Sequence, residues 1–287
     1  MGKKNVLEII NKLNSIKTKL SDVAETNYGI ITGNDNLLIL TEDELKKLNF
    51  TKKFIREIII PRDIGRYFLN KPKLYVIYPY IEKEDSTKIE ELENIRSRDY
   101  NLYQYLVKNK SKLESRKDSR GDFKGSSRWY GLVRFSKLDI FNQNKIITPS
   151  IVKRNKFCLD NNFYAFSGGK VTCVTSKEDL LILLGILNSK LIEFYLHQTC
   201  PLKAGGYFNY SNTFLSRLPI RLPDENQTKK IKELVERRIK LKDENQIKNF
   251  DYEIDEEIYK LYGITDKEKE IIEEGQEMKS EKMGNEV

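Results

Sequence analysis

Side chains suited to catalysis or metal binding are few in this chain, which has one histidine and three cysteines among 287 residues. His197 and Cys200 lie three positions apart, but two ligands do not complete a metal site. Cys158, Cys173 and Cys200 are odd in number and lack C-x-x-C spacing, so neither a disulfide framework nor a cysteine-rich zinc site is expected. One histidine also offers almost nothing to a histidine-dependent triad. We therefore expect no catalytic and no metal-binding residues.

One charged pattern keeps an alternative open. Asp122 and Lys124 form a D-x-K pair like the one that ends the PD-(D/E)xK motif of nucleases, where two carboxylates and a lysine surround magnesium. No Pro-Asp pair precedes it, and the lysine falls in a glycine- and serine-rich stretch rather than in a strand. A magnesium-dependent DNA nuclease is therefore an alternative, tested by whether cleavage survives alanine at both positions.

The charge is unevenly distributed along the chain, which has a net charge of +8. From Asp224 onward there are 19 acidic and 13 basic residues, whereas residues 96–170, the basic region, hold 17 basic and 6 acidic residues. A field this one-sided attracts polyanions and speeds their encounter. General basicity would not explain an acidic end beside a basic body, so the distribution predicts contact with a nucleic acid.

Several loops carry cations beside aromatic or glycine residues, the combination that follows a phosphate backbone while rings stack on bases. The stretch 115–131 surrounds the single tryptophan, and its alternative is a solvated loop that Trp129 anchors to the core. The predicted phosphate contacts are Arg62, Arg66, Lys124, Arg128, Arg134, Lys153, Arg154 and Lys170. The predicted base or stacking contacts are Trp129, Tyr130, Tyr207 and Tyr210.

The elements that must position these loops follow from hydrophobic periodicity. Apolar residues at helical spacing predict an amphipathic helix within 3–20 and a buried helix from Leu180, capped by Ser176 with Asp179. The turn residues 33–36 between apolar runs predict a hairpin. Further strands around 74–79, 146–149, 163–166 and 171–174, then helices after Pro223, predict an α+β fold: a β-rich domain with packed helices and a C-terminal helical segment.

Five short stretches in order resemble the TaqI-like C-terminal specificity domain, the target-recognition part of adenine-N6 DNA methyltransferases and of type IIG restriction-modification enzymes. The matching stretches are 29–34 (GIITGN), 61–67 (PRDIGRY), 183–191 (LLGILNSKL), 214–220 (FLSRLPI) and 254–265 (IDEEIYKLYGIT). The resemblance implies sequence-specific recognition of double-stranded DNA. It also implies three segments: an N-terminal linker or docking helix in 1–26, a β-rich target-recognition domain in 27–223 and an acidic helical segment in 224–287.

The chain departs from such methyltransferases in its catalytic motifs. It has no Pro-Pro pair, hence no N-P-P-Y/F or D-P-P-Y motif, and no strand that ends in a glycine-rich turn opening a helix. The resemblance therefore implies a recognition domain that binds no cofactor itself, with S-adenosylmethionine on a methyltransferase catalytic domain or subunit as partner. A single-domain type I-like specificity subunit is the other reading. No apolar run approaches the ~20 residues that cross a bilayer, and a cytoplasmic protein is expected.

Overall fold

The structure, a computed structural model, describes residues 3–84, 86–118 and 121–284. The described residues form fourteen α-helices: α1 Lys3–Asn14, α2 Leu20–Val23, α3 Asp35–Leu38, α4 Glu42–Leu48, α5 Leu92–Arg98, α6 Tyr100–Lys108, α7 Lys110–Glu114, α8 Leu138–Phe141, α9 Leu180–Asn188, α10 Lys190–Thr199, α11 Asn212–Leu215, α12 Glu225–Lys240, α13 Glu244–Tyr262 and α14 Asp266–Gly284.

The same residues form fifteen strands, most of them short. They are β1 Ala24–Tyr28, β2 Ile39–Thr41, β3 Ile55–Ile59, β4 Leu74–Ile77, β5 Tyr80–Lys83, β6 Ser86–Ile89, β7 Lys117–Asp118, β8 Gly121–Asp122, β9 Lys145–Pro149, β10 Ile151–Val152, β11 Cys158–Asp160, β12 Ala165–Phe166, β13 Val171–Ser176, β14 Leu202–Lys203 and β15 Tyr207–Asn209. The mixture of helices and strands, with a helical C-terminal part, confirms the predicted α+β class.

Two four-stranded sheets organise the β-rich part. One is antiparallel in the order β1-β13-β9-β11, and the other has the order β12-β3-β4-β2, in which only β12 and β3 are parallel. Every residue of β9 is buried, as expected for a strand covered on both faces. Lys145 on β9 is buried as well, and its Nζ lies 2.7 Å from the Asp160 carboxylate, which compensates its charge.

The apolar stretch from Leu180 forms the helical centre of the larger core. Asp179 accepts a hydrogen bond from the Leu181 amide and so caps α9, whereas Ser189 caps α10. The Ser176 hydroxyl instead donates to the Val23 carbonyl, so the predicted cap at Ser176 is wrong. In the part of the chain that is described, no single helix is long and apolar enough to cross a membrane; α9 and α10 together reach that length and composition but bend by 63°.

The N-terminal and C-terminal helices share this larger core with the sheet. Leu13 of α1, Val174 of β13, Leu184 of α9 and Ile254 of α13 belong to one buried cluster. A second cluster surrounds the other sheet and includes α6 through Leu102. The helices before residue 27 and after residue 223 therefore pack against the same core as the β-rich part, and the divisions at 26/27 and 223/224 stay a prediction. The apolar side of α1 is largely used within this chain.

The predicted hairpin around 33–36 is wrong. β1 pairs with β13 and β2 pairs with β4, so the two strands belong to different sheets. The turn residues serve another purpose: the Thr32 hydroxyl donates to the Asp35 carboxylate and accepts from the Asn34 amide, which starts the short helix α3. Local turn chemistry was read correctly, but the pairing partners are distant in sequence.

Buried charges join the β-rich part to the C-terminal helices. Arg66, Tyr67, Arg238, Asp251 and Asp255 form what we term the junction cluster. Arg238 Nε lies 2.6 Å from Asp251 Oδ1, and the guanidinium carbons of Arg66 and Arg238 lie 5.6 and 4.8 Å from the centre of the Tyr67 ring. Asp255 accepts a hydrogen bond of 2.8 Å from the Lys190 amide. The cluster therefore holds α12 and α13 against the loop after β3.

Candidate nucleic-acid interface

Loops from distant parts of the chain meet at one end of the first sheet. β1 ends at Tyr28, β9 ends at Pro149 and β13 begins at Val171. Because these strands are antiparallel neighbours, all three of these strand termini lie at the same end of the sheet. The fold therefore brings the segment after β1 beside the segments after β9 and before β13, which lie more than a hundred residues further along the sequence.

A groove of about 830 Å³ opens beside Tyr28 at this end of the sheet. Its walls come from the end of β1, from the β5–β6 hairpin and from the segment 123–137, and every lining side chain among the described residues is neutral or basic. The cations that line it are Lys88, Arg128, Arg134 and Lys137. Arg128 and Arg134 were both predicted to contact phosphate, and the fold brings them together here. We term this feature the basic groove.

Hydrogen bonds fix the wall that carries these cations. The Leu132 amide donates to the Tyr80 hydroxyl at 2.8 Å, and the Leu138 amide donates to the Thr87 hydroxyl at 2.9 Å. Between these ties the chain is extended, and Ser136 points inward and donates to the Tyr28 carbonyl. Its neighbours Phe135 and Lys137 consequently face outward.

A buried arginine fastens the same wall from behind, and sequence reasoning missed it. Arg116 donates to the carbonyls of Leu113, Thr32 and Trp129 at 2.8, 2.6 and 2.6 Å. Its guanidinium carbon lies 4.5 Å from the centre of the Phe123 ring, which lines the groove. Burial lowers the pKa of Arg116 to about 10, which leaves it charged at neutral pH. In the sequence it resembles any other cation of the basic region.

Two glycines allow the backbone to cross under the groove. A Cβ at Gly29 would lie 2.1 Å from the Phe166 carbonyl oxygen, and one at Gly168 would lie 2.5 Å from the Gly29 carbonyl oxygen. Real Cβ atoms do not approach that closely, so both positions need glycine. The first glycine of the GIITGN stretch, Gly29, is thus explained by close packing of two chain segments rather than by phosphate binding.

Three of the four predicted stacking residues lie in the interior. Trp129 and Tyr130 are 6% and 4% exposed, and Tyr210 is 0% exposed. The Tyr130 hydroxyl donates to the Glu90 carbonyl and the Tyr210 hydroxyl donates to the Asn155 side chain. Their rings complete the core, so the stacking role predicted for them does not fit this structure. For Trp129 the alternative, an anchor to the core, describes its position.

The fourth ring is differently placed. Tyr207 is exposed on β15, where β10, β15 and β14 form a small sheet. Lys153 Nζ lies 5.2 Å from the centre of this ring. Lys203 pairs with Tyr207 across the strands and faces the same side. Tyr207 with Lys153 therefore remains a candidate contact with DNA, near the same end of the first sheet as the basic groove.

Two predicted phosphate contacts, Arg66 and Arg154, also form ion pairs within the protein. Arg66 Nη2 lies 3.8 Å from Asp251 Oδ2 within the junction cluster. Arg154 Nε donates to Glu193 at 2.7 Å, and the Glu193 side chain is only 3% exposed. A carboxylate inside the protein is costly without its cation, so both arginines have a structural role, and their contact with phosphate stays a prediction.

Five further predicted phosphate contacts are exposed. Arg62, Lys124, Arg128, Arg134 and Lys170 all lie on the surface. Lys170 forms an ion pair of 3.0 Å with Asp35, which is half-exposed as well. The Asp122 side chain of the nuclease alternative lies outside the described residues. Among the side chains that are described, no group of three or more histidine, cysteine, aspartate or glutamate residues could hold a metal ion.

Comparisons with known proteins match this chain to a family model, to a methyltransferase and to a restriction-modification enzyme. The model of the TaqI-like C-terminal specificity domain matches residues 46–220. The Type II methyltransferase M.MjaIV of Methanocaldococcus jannaschii is 26% identical over 245 residues, which cover 82% of this chain and 78% of that protein. A solved structure of the Type IIL restriction-modification enzyme MmeI in complex with DNA superposes with a TM-score of 0.67 at 13% identity, over 92% of this chain.

The extent of these matches decides what they establish. The chain spans only 37% of the MmeI chain, and at 13% identity that likeness shows the fold alone. The family model, in contrast, matches more than half of the chain and includes the whole cationic wall of the basic groove. The chain therefore belongs to the family of TaqI-like C-terminal specificity domains.

Proposed function

We propose that this chain recognises a specific sequence in double-stranded DNA, as the specificity part of an adenine-N6 methyltransferase or restriction-modification enzyme. The observation that carries the proposal is the basic groove, whose described lining holds four cations and no acid. Cations on phosphates set the position of a protein on a duplex, and polar or aromatic groups beside them read base edges. Family membership gives independent support.

The catalytic step belongs to a partner in this proposal. Methylation of a base within a duplex requires the base to leave the stack and enter a catalytic pocket. One wall of the DNA-binding cleft must therefore perform chemistry while the other holds and reads the duplex. This chain would supply the second wall, and S-adenosylmethionine would bind to the methyltransferase catalytic domain or subunit that supplies the first. The cytoplasmic location stays a prediction, as do the nuclease and type I-like alternatives.

The test is selection from a pool of random duplexes by mobility shift, with this chain alone and with a methyltransferase catalytic subunit. We expect enrichment of one sequence. The double variant Arg128→Ala/Lys137→Ala removes two groove cations, so the slope of log affinity against log salt concentration should shrink by about two.

The matched control is Lys229→Ala/Lys230→Ala, which removes the same charge from the exposed surface of α12. We expect this control to bind DNA with an unchanged salt slope. Failure of the pool to yield any preferred sequence, with or without the subunit, would contradict sequence-specific recognition. Equal effects of the two double variants would contradict the assignment of phosphate contact to the groove.

A further inference from the structure

The basic groove contains aromatic surface that phosphate binding does not require. Tyr28 is 53% exposed and Phe135 is 40% exposed, and both line the groove. The Phe135 ring stacks on the Tyr80 ring, with centroids 4.5 Å apart and planes at 25°. The outer face of an aromatic pair therefore lies open in a cationic setting. Exposed rings in a concave site indicate a ligand with a flat apolar face.

Charge and size narrow the class of ligand. The part of the lining that the structure describes has cations and no carboxylate, which favours an anion. A volume of about 830 Å³ suits a ligand of drug-like size. A base pair within a duplex offers no free π-face, because its faces are covered by the neighbouring pairs. A nucleotide outside the stack offers both a bare base and a phosphate.

We propose that the basic groove receives an unpaired nucleotide of the bound DNA, with its base against Phe135 and its phosphate near Arg128 and Lys137. The inference rests on the proposed function and adds a ligand site to it. Proteins gain affinity by stacking unpaired bases on aromatic rings, whatever the base. Such a site would stabilise DNA in which one base has left the helix, since it would hold a nucleotide that ordinary duplex DNA keeps stacked.

The experiment compares two labelled duplexes about two helical turns long, identical except that one carries a single bulged adenine. We expect the full chain to bind the bulged duplex roughly 5- to 100-fold more tightly, the gain that stacking one base provides. Phe135→Ala should reduce the ratio of the two affinities to about one and should leave the affinity for the fully paired duplex unchanged. Phe135→Leu, which keeps apolar bulk against Tyr80 but removes the π-face, should behave in the same way.

The matched control is Tyr100→Ala. Tyr100 is 57% exposed and stacks on Tyr103, but it lies on α6, outside the groove. Its loss should leave the preference for the bulged duplex unchanged. Circular dichroism of each variant checks that it is folded.

Three results would overturn the inference. Equal affinity of the native chain for the two duplexes would contradict it while the proposed function stands. A preference that survives both Phe135 variants would assign the bulge to another surface. Competition by free deoxyadenosine monophosphate, together with no advantage of the bulge, would show that the groove takes free nucleotides. If the native chain bound neither duplex, that result would instead contradict the proposed function itself.

Discussion

The basic groove and the junction cluster both place arginine beside aromatic rings, yet they differ in the acids around them. In the groove, Arg128 is exposed and the described lining has no carboxylate. In the junction cluster, Arg238 is buried against Tyr67 and bonded to Asp251. The same residue types thus support a surface for an external anion in one place and an internal joint in the other. Burial and the nearest carboxylate, rather than charge density, distinguish the two.

Removal of the buried arginine should have the largest effect on stability. Arg238→Ala removes the 2.6 Å partner of the partly buried Asp251, which keeps only the longer contact of 3.8 Å with Arg66, and it empties the space of a buried side chain. Loss of one partner from a buried pair costs about 3 kcal/mol or more in free energy of unfolding. Its neighbour Arg237 pairs with Glu233 on the exposed surface of α12, so Arg237→Ala should change stability by less than about 0.5 kcal/mol. Denaturant titration measures both, and equal effects would remove the distinction drawn for the junction.

The junction cluster should also make stability depend on pH. Burial raises the pKa of Asp255 to about 7, against which the positive charge of Arg66 acts only in part. The carboxyl group therefore holds its proton more tightly when folded than when unfolded, where its pKa is about 3.9. Its contribution to stability is fully present below about pH 4 and is lost as pH rises through about 7.

Asp255→Asn tests this dependence. The amide keeps an oxygen for the Lys190 amide proton but cannot ionise. At pH 8 the variant should be more stable than the native chain by on the order of 2 kcal/mol, and the two should converge toward pH 4. Denaturant titration at a series of pH values measures the difference. A constant difference between the proteins across this range would show that Asp255 does not titrate there.

Much of the fold could be predicted from the sequence, because its signals are local. Thr41 with Glu44 forms a capping box, Gly263 ends α13 in the left-handed conformation, and Asp99 caps α6, all with residue types typical of these positions. The apolar run from Leu180 forms the buried helix α9. Where pairing depended on distant strands, as for β1 with β13, turn residues gave no information and the hairpin prediction failed.

The candidate site was harder to predict, because its residues are defined by their neighbours in space. Arg116 and Arg128 both belong to the basic region, but one is buried under three carbonyl groups and the other is exposed at the groove. Phe135 and Tyr28, the exposed rings, belonged to no motif. Trp129, the single tryptophan, was predicted to stack on bases, but it lies in the core. Composition located the basic region, and only tertiary contacts separated its outer from its inner cations.

The smallest expected effects come from two adjacent cations that repeat this contrast within one turn. Lys153 lies over the exposed Tyr207 ring, whereas Arg154 binds the buried Glu193 carboxylate. A double alanine variant at both positions would mix two roles. Lys153→Ala should lower the salt slope of DNA binding by about one and stability by no more than about 1 kcal/mol. Arg154→Ala should cost about 2 kcal/mol of stability, because among the described residues the Asn155 amide is then the one remaining hydrogen-bond donor to Glu193. Salt titration and denaturant titration of the two single variants separate these roles, and a larger loss of stability for Lys153→Ala would reverse the assignment.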